Sequence, residues 1–252
     1  MKKNVFLMIA LLGVCVASPV FSQEIALHSD ELSRVMAAYE ARKDMARHAE
    51  AQKGFKRLAA AHPGDYGLQI WCARTSYYYA HRLVQHDDED GCAKVAREGI
   101  TCARRAEKAR PRDYTAKYWE LMDRMKAGVT LGMIGALKAV KPLKGELERL
   151  ISLDPKRFEG YLFLGMLYRE LPSLVSWGDD DKALEYVKKA ERIAPRNADA
   201  LLEVAETYHK LGNDAMAVAY FGKVATCNVP KHLEWETWDA RRWAKKRLKD
   251  IQ

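Results

Sequence analysis

Two consecutive segments between Arg157 and Ala225 carry the same pattern of small and large apolar residues. Each places a small residue, Gly165 or Ala205, in a first predicted helix and another small residue in a second helix. Small residues let two antiparallel helices approach closely, while larger residues fill the groove between them. The pattern therefore predicts two helical hairpins in succession. The matched positions are Tyr161, Leu164, Gly165, Tyr168, Ala183, Val187 and Ala190 in the first segment, and Leu201, Val204, Ala205, Tyr208, Ala217, Phe221 and Val224 in the second.

Prolines divide the chain at intervals that shorten toward its C-terminus. A proline ends a helix because it has no N–H to donate and moves the preceding residue out of the α region. The successive intervals are 48, 44, 40 and 35 residues. Such a series predicts one continuous array of hairpins with insertions, not separate domains joined by linkers. The prolines are Pro63, Pro111, Pro155, Pro195 and Pro230.

The duplicated pattern resembles a tetratricopeptide repeat. Gly165 and Ala205 are 40 residues apart, about six more than the usual period, and an insertion around Leu171–Gly178 accounts for the difference. The resemblance implies an all-α array of stacked antiparallel hairpins, which makes a curved binding surface more readily than a catalytic cleft. We expect residues 23–252 to form a single helical-repeat domain. Its hairpins are expected at about 30–63, 65–111, 114–155, 158–195 and 198–230, with a C-terminal capping helix at 232–252.

The first 22 residues have the pattern of a secretory signal peptide. Two lysines precede the apolar run Val5–Val16, and small or short residues lie just before Gln23. We therefore expect export to the periplasm with cleavage after Ser22. The alternative is an uncleaved membrane anchor, although the apolar run is shorter than the roughly 20 residues that a bilayer requires. Cys15 follows a valine instead of the Gly, Ala or Ser typical of lipoprotein signals, so we expect no lipid anchor.

The chain is basic, with a formal charge of +8 from 42 Lys and Arg against 34 Asp and Glu. Much of the excess lies in two runs, Lys94–Arg112 and Arg241–Lys249. Such runs either hold an anionic partner or form solvated helix faces. Nucleic acid is not an expected partner for an exported protein, whereas an acidic lipid or an acidic protein remains open.

No motif of an enzyme is present in the sequence. It contains no His-Glu-x-x-His, Cys-x-x-Cys, Gly-x-Ser-x-Gly or phosphate loop. Two acidic clusters, Asp87–Asp90 and Asp179–Asp181, either bind a cation or form solvated loops and helix caps. We expect no catalytic residues, no cofactor and no metal site.

A more specific resemblance extends from about Tyr66 to Phe221. The motifs that carry it are Tyr118-Trp119, Gly132-Met133, Val140–Pro142, Glu146–Leu150, Leu153–Pro155, Gly165–Pro172, Gly178-Asp179 and Lys182–Tyr186. Together they are similar to the T component of tripartite ATP-independent periplasmic (TRAP) transporters. The resemblance implies a periplasmic helical scaffold that associates with a solute-binding protein, self-associates and holds hydrophobic ligands. The alternative is a general cell-envelope scaffold for protein–protein interaction, unrelated to transport.

Large aromatic residues recur on the first helices of three successive predicted hairpins. The first helices of stacked hairpins line a concave face, and exposed rings there indicate that something covers them. We expect a groove that binds an apolar ligand or a partner segment, with ordinary core packing as the alternative. The candidate residues are Trp71, Tyr78, Trp119 and Tyr161, with Met133 and Ile134 from the apolar stretch Gly128–Val140.

The cysteines predict one disulfide bond. If two helices span about 67–85 and 90–109, the hairpin reverses near residue 87 or 88, and Cys72 lies opposite Cys102. A bond from Cys92 to Cys102 is excluded on one helix, because ten residues rise about 15 Å and a disulfide needs Cα atoms within roughly 7 Å. Separate buried thiols, including Cys227, are the alternative.

Overall fold

The computed structural model describes residues 29–131, 138–173, 177–227 and 234–251. These four ranges consist of α-helices, turns and one short 3₁₀ segment, and no strand occurs within them. They fall into two compact units, the first ending at residue 131 and the second starting at residue 138. The expected all-α fold is confirmed.

The first unit contains five consecutive α-helices, each packed against its neighbour in the chain. They are α1 (Ser29–Glu40), α2 (Met45–Ala61), α3 (Tyr66–Gln85), α4 (Glu89–Ala109) and α5 (Tyr114–Ala127), followed by the 3₁₀ segment Gly128–Leu131. The second unit contains α6 (Leu143–Leu153), α7 (Glu159–Glu170), α8 (Asp180–Ile193), α9 (Ala198–Lys210), α10 (Asp214–Thr226) and α11 (Glu234–Ile251).

Aspartate side chains begin several of these helices. The Asp88 carboxylate accepts a hydrogen bond from the Gly91 N–H (2.8 Å), and Asp179 accepts one from the Lys182 N–H (3.0 Å). Each such cap stabilises a helix by about 1 kcal/mol. One member of each acidic cluster is therefore a helix cap, as the capping interpretation of Asp179–Asp181 predicts.

The small residues of the repeat pattern lie where paired helices approach most closely. In the α7–α8 hairpin, a Cβ added at Gly165 would lie 2.6 Å from Val187 Cγ1 and 3.0 Å from the Val187 backbone nitrogen. Ala183 and Val187 are fully buried in the same contact. Because both the side chain and the backbone of Val187 face Gly165, the two helices would have to separate to accept any larger residue there.

A buried ion network joins three helices of the second unit. Arg169 of α7 lies 2.7 Å from the Glu203 carboxylate of α9, measured from Nη1 to Oε2. One turn further along α9, Glu206 accepts hydrogen bonds from Trp243 Nε1 (2.6 Å) and from two nitrogens of the Arg247 guanidinium (2.9 and 2.8 Å). The C-terminal helix α11 is thereby held on α9, in addition to packing on α10.

The α3–α4 hairpin holds a disulfide bond between Cys72 and Cys102, whose Cα atoms are 6.0 Å apart. Both residues are buried, and 30 positions separate them in sequence. Cys92 is a buried thiol on the same helix as Cys102, and burial raises its pKa to about 11. Since the thiolate is the reactive form, Cys92 is poorly reactive.

Among the described helices, none combines the length and the apolar character needed to cross a lipid bilayer.

We predict opposite effects for two glycine substitutions in the second unit. Gly165→Ala should lower the free energy of unfolding by about 1–3 kcal/mol, because the added methyl group overpacks the α7–α8 contact. The matched control is Gly222→Ala in α10, where an added Cβ meets nothing within 4 Å and replacing a helical glycine contributes about 0.5–1 kcal/mol of stability. Urea unfolding followed by far-UV circular dichroism measures both. Equal effects of the two substitutions would contradict the close approach at Gly165.

We predict that the disulfide stabilises the first unit by about 2–4 kcal/mol, since it closes a loop of about 30 residues. Dithiothreitol should lower the stability of protein purified under oxidising conditions and leave a Cys72→Ala/Cys102→Ala variant unchanged. Non-reducing peptide mapping should recover the two cysteines in one linked fragment. Recovery of both as unlinked thiols refutes the pairing.

Candidate functional site

Three residues of α3 form what we call the aromatic–arginine face, defined as Trp71, Arg74 and Tyr78. Their spacing of three and four positions places them on one side of the helix. Trp71 and Arg74 are half-buried, and Tyr78 is 5% exposed. The face therefore combines partly accessible groups with a ring fixed in the core.

Neighbouring helices hold the Trp71 indole in place. It stacks on Phe55 of α2, with ring centroids 5.1 Å apart and planes 9° apart. The ring of Tyr39 from α1 meets it edge-on, with centroids 5.2 Å apart. Such aromatic pairs contribute about 0.5–1.5 kcal/mol each beyond their buried area. Trp71 is thus a rigid group supported by two other helices.

Arg74 lies among three aromatic rings. Its Cζ atom is 5.1 Å from the Trp71 ring centroid, 5.8 Å from that of Tyr39 and 5.9 Å from that of Tyr78. A guanidinium over aromatic rings is attracted by their negative faces, by about 0.5–1 kcal/mol where it remains solvated. The rings therefore restrict the position of the positive charge.

The Trp119 indole lies in the core of the first unit. Its side chain is 1% exposed, and its ring contacts Tyr77 and Tyr78 of α3 at centroid distances of 5.7 and 5.9 Å. Tyr118, the preceding residue on α5, also meets it at 4.9 Å. Of the two alternatives for Trp119, core packing is the one that the structure shows. Its contact with Tyr78 supports the aromatic–arginine face from within.

Tyr161 is likewise packed, in the second unit. It is 4% exposed, its ring stacks with Tyr186 at 6.4 Å, and its hydroxyl donates to the Pro155 carbonyl oxygen at 3.3 Å. Met133 and Ile134 lie outside the described residues. Among the four predicted aromatic anchors, Trp71 alone has a partly exposed side chain here, and the role of the others in binding stays a prediction.

The first unit also contains a buried acid and a buried base on one turn of α5. The Asp123 carboxylate is fully buried, with no hydrogen-bond donor to either oxygen among the described residues. The Asp123 carboxylate fits because residue 99 of α4 is glycine, since a Cβ added at Gly99 would lie 2.2 Å from Asp123 Oδ2. Lys126 Nζ lies 3.0 Å from His81 Nδ1 and 5.0 Å from the Tyr77 ring centroid. Burial raises the pKa of Asp123 well above its usual range and lowers the pKa of Lys126 to about 7.

His48 of α2 is a third buried titratable group. Its ring is fully buried and lies 5.4 Å from the ring of Tyr79. Neither ring nitrogen has a hydrogen-bond partner among the described residues. Burial, reinforced by the nearby charges of Arg82 and Arg42, lowers the pKa of His48 to about 3. The imidazole is therefore neutral in the folded protein over the physiological range.

Arg74, Asp123 and Lys126 are the residues that sequence reasoning missed. Arg74 had a signal, since helical spacing places it beside Trp71 and Tyr78. Nothing in the sequence indicated that Asp123 and Lys126 would be buried, because charged residues are almost always exposed. These three residues add a cation to the predicted aromatic surface and a polar pair to the core.

No family model matches this chain, and no curated protein matches it. Solved structures do match. A tetratricopeptide-repeat protein of Thermus thermophilus, TTC0263, has a TM-score of 0.62 and 16% identity, over 88% of this chain and 98% of that one. MamA has a TM-score of 0.43 and 19% identity, over 85% of this chain and 96% of that one. Yeast Tom70 has a TM-score of 0.24 and 12% identity, over 98% of this chain and 70% of that one. The first likeness shows the tetratricopeptide-like fold. None of them bears on the TRAP resemblance, which stays a prediction.

We predict that His48 makes the stability of the first unit fall in acid. Its folded pKa of about 3 lies below its ordinary value of 6.5, so its contribution is complete above pH 6.5 and is lost as the pH falls toward 3. His48→Phe should remove this loss, which approaches about 1.4 kcal/mol per pH unit for one proton. Urea unfolding at several pH values between these limits measures it. An unchanged slope in the variant would show that His48 does not carry the effect.

Proposed function

We propose that this protein is an exported helical-repeat scaffold, without enzymatic activity, that binds a protein partner through the aromatic–arginine face of α3. The observation that carries the proposal is the partial exposure of Trp71 and Arg74 on a face whose Trp71 ring packs against two neighbouring helices. In stacked hairpins the first helix of each pair lines the concave binding surface. Here α3 is such a first helix, since it pairs with α4 through the disulfide.

The chemistry of the face fits a protein partner. Trp, Tyr and Arg are the residues that contribute most to protein interfaces, especially where they are fixed before binding. The Trp71 indole offers an apolar surface, and the guanidinium of Arg74 adds a positive charge 5.1 Å from its ring centroid. The partner segment that fits best therefore presents an apolar side chain next to an acidic group.

For the setting, we propose the periplasm, with a solute-binding protein of the TRAP type as the first partner to test. The signal-like N-terminus and the sequence resemblance support this choice, and disulfides persist mainly in oxidising compartments. Intact mass of the exported protein should correspond to a chain that starts at Gln23. A mass that includes Met1, or a lipid on Cys15, contradicts the proposed processing.

We predict that Trp71→Ala weakens partner binding roughly thirtyfold, the equivalent of about 2 kcal/mol for loss of a large aromatic anchor. Arg74→Ala should also weaken binding, because it removes the cation from the same face. Pull-down from periplasmic extract identifies the partner, and titration of that partner against each variant gives the dissociation constants.

The matched control is Met216→Ala in the second unit, which removes an exposed apolar side chain and should leave binding unchanged. Far-UV circular dichroism should show the same helical signal in all variants. Full binding by Trp71→Ala refutes the proposed surface. If the pull-down recovers only a second copy of this chain, the face serves self-association. If it recovers only a hydrophobic ligand, the face binds that ligand. Either result refutes the proposal of a separate partner protein.

A further inference from the structure

The two sides of α4 differ sharply in composition. One side packs into the first unit and includes both Cys92 and the disulfide-bonded Cys102. Between Lys94 and Lys108, every residue that is exposed is basic except Thr101. The exposed basic residues are Lys94, Arg97, Arg104, Arg105 and Lys108.

Four of these cations form a narrow line, which we call the basic stripe: Lys94, Arg97, Arg105 and Lys108. Steps of three, eight and three positions keep them on one side of the helix. From Lys94 to Lys108 the helix rises about 21 Å. The stripe is a straight row of charge on an outward helix face.

Two of the carboxylates nearest to the stripe have partners on other helices. Glu98 accepts hydrogen bonds from Lys56 Nζ (2.6 Å) and Gln52 Nε2 (2.9 Å), both on α2. Arg104, which lies at the edge of the stripe, binds the Glu120 carboxylate of α5 at 3.2 Å. These contacts neutralise Glu98 and Glu120. Exposed Asp90 and half-buried Glu107 remain on α4, but the four cations of the stripe outnumber them, so its net charge stays positive.

The stripe also lacks the groups that a protein interface uses. Protein interfaces depend on a few buried aromatic or apolar anchors, and Thr101 is the only uncharged exposed residue between Lys94 and Lys108. An anionic bilayer needs no such anchor, because each Lys or Arg close to its surface strengthens binding about fivefold through charge alone. A flat surface also matches a straight row better than a small ligand does.

We propose that the basic stripe of α4 docks the first unit onto a bilayer surface that contains anionic phospholipid. The contact is peripheral, since the exposed side of α4 between Lys94 and Lys108 has no apolar residue to insert. It leaves the aromatic–arginine face of α3 for the protein partner. Electrostatic attraction of this kind weakens as salt is added, because salt shortens the Debye screening length, which is roughly 10 Å at 0.1 M.

The test is sedimentation of the full chain with two kinds of vesicle, one of phosphatidylcholine alone and one that also contains phosphatidylglycerol. Binding to the first kind measures attraction that does not depend on lipid charge, including that of the apolar N-terminal segment. We expect stronger binding to the anionic vesicles, falling with added salt. The variant Lys94→Gln/Arg97→Gln/Arg105→Gln/Lys108→Gln should lower the anionic component by at least about a hundredfold.

The matched control neutralises four exposed cations of another helix, by Arg242→Gln/Lys245→Gln/Lys246→Gln/Lys249→Gln in α11. It removes the same charge and should keep most of the binding. A charge-conserving Arg97→Lys/Arg105→Lys variant should bind like the parent. Equal losses of binding in the two neutralised variants, or equal binding to both kinds of vesicle, would overturn the proposal. It would also be overturned if neutralising the stripe abolished capture of nucleic acid or of an acidic protein but left vesicle binding unchanged.

Discussion

The close approach of paired helices at small residues is the constraint on which each unit depends. In the second unit it occurs at Gly165, where the backbone of α7 lies against Val187 of α8. In the first unit Gly54 of α2 receives the Val35 side chain of α1 in the same way, since an added Cβ would lie 2.4 Å from Val35 Cγ2. Helices at this separation bury nearly everything between them. Large side chains must therefore occupy the grooves beside the contact or reach the surface.

Two features of the first unit depend on the close approach of neighbouring helices. The α3–α4 pair is close enough for a disulfide, with 6.0 Å between the Cα atoms of Cys72 and Cys102. Beyond it, Gly99 of α4 opens just enough space for the Asp123 carboxylate of α5. A buried acid that has no donor among the described residues costs free energy. Burial raises its pKa, which favours the protonated form. The aromatic rings fill the remaining grooves and hold Trp71 rigid at the surface.

The sequence was most informative where a pattern repeats. Helices predicted at about 67–85 and 90–109 are observed as Tyr66–Gln85 and Glu89–Ala109, because capping aspartates and the hairpin turn define their ends. Knowing those ends was enough to place Cys72 opposite Cys102. The small residues at Gly165 and Ala183 similarly predicted where α7 and α8 meet.

The sequence was less informative about which surfaces stay open. Helical spacing shows that residues share a face, but it does not show which neighbouring element covers that face. Trp119 and Tyr78 were therefore placed on the correct helices, yet contact with each other removes both from solvent. Asp123 could not be predicted as buried from its own identity, since the space for it comes from a glycine on a different helix. Trp71, by contrast, keeps the partial exposure that a binding surface requires.

Photo-cross-linking in living cells can show whether a partner protein binds at the aromatic–arginine face. A benzophenone amino acid in place of Arg74 puts a reactive group within the face and leaves the Trp71 anchor intact. Because the cross-link is covalent, it traps complexes even though loss of the Arg74 charge weakens binding. The same amino acid in place of exposed Arg192 of α8 is the control. We expect position 74 to form a cross-linked product with a distinct protein, and position 192 to form no product with that protein. Products from position 192 without any from position 74 would contradict this expectation.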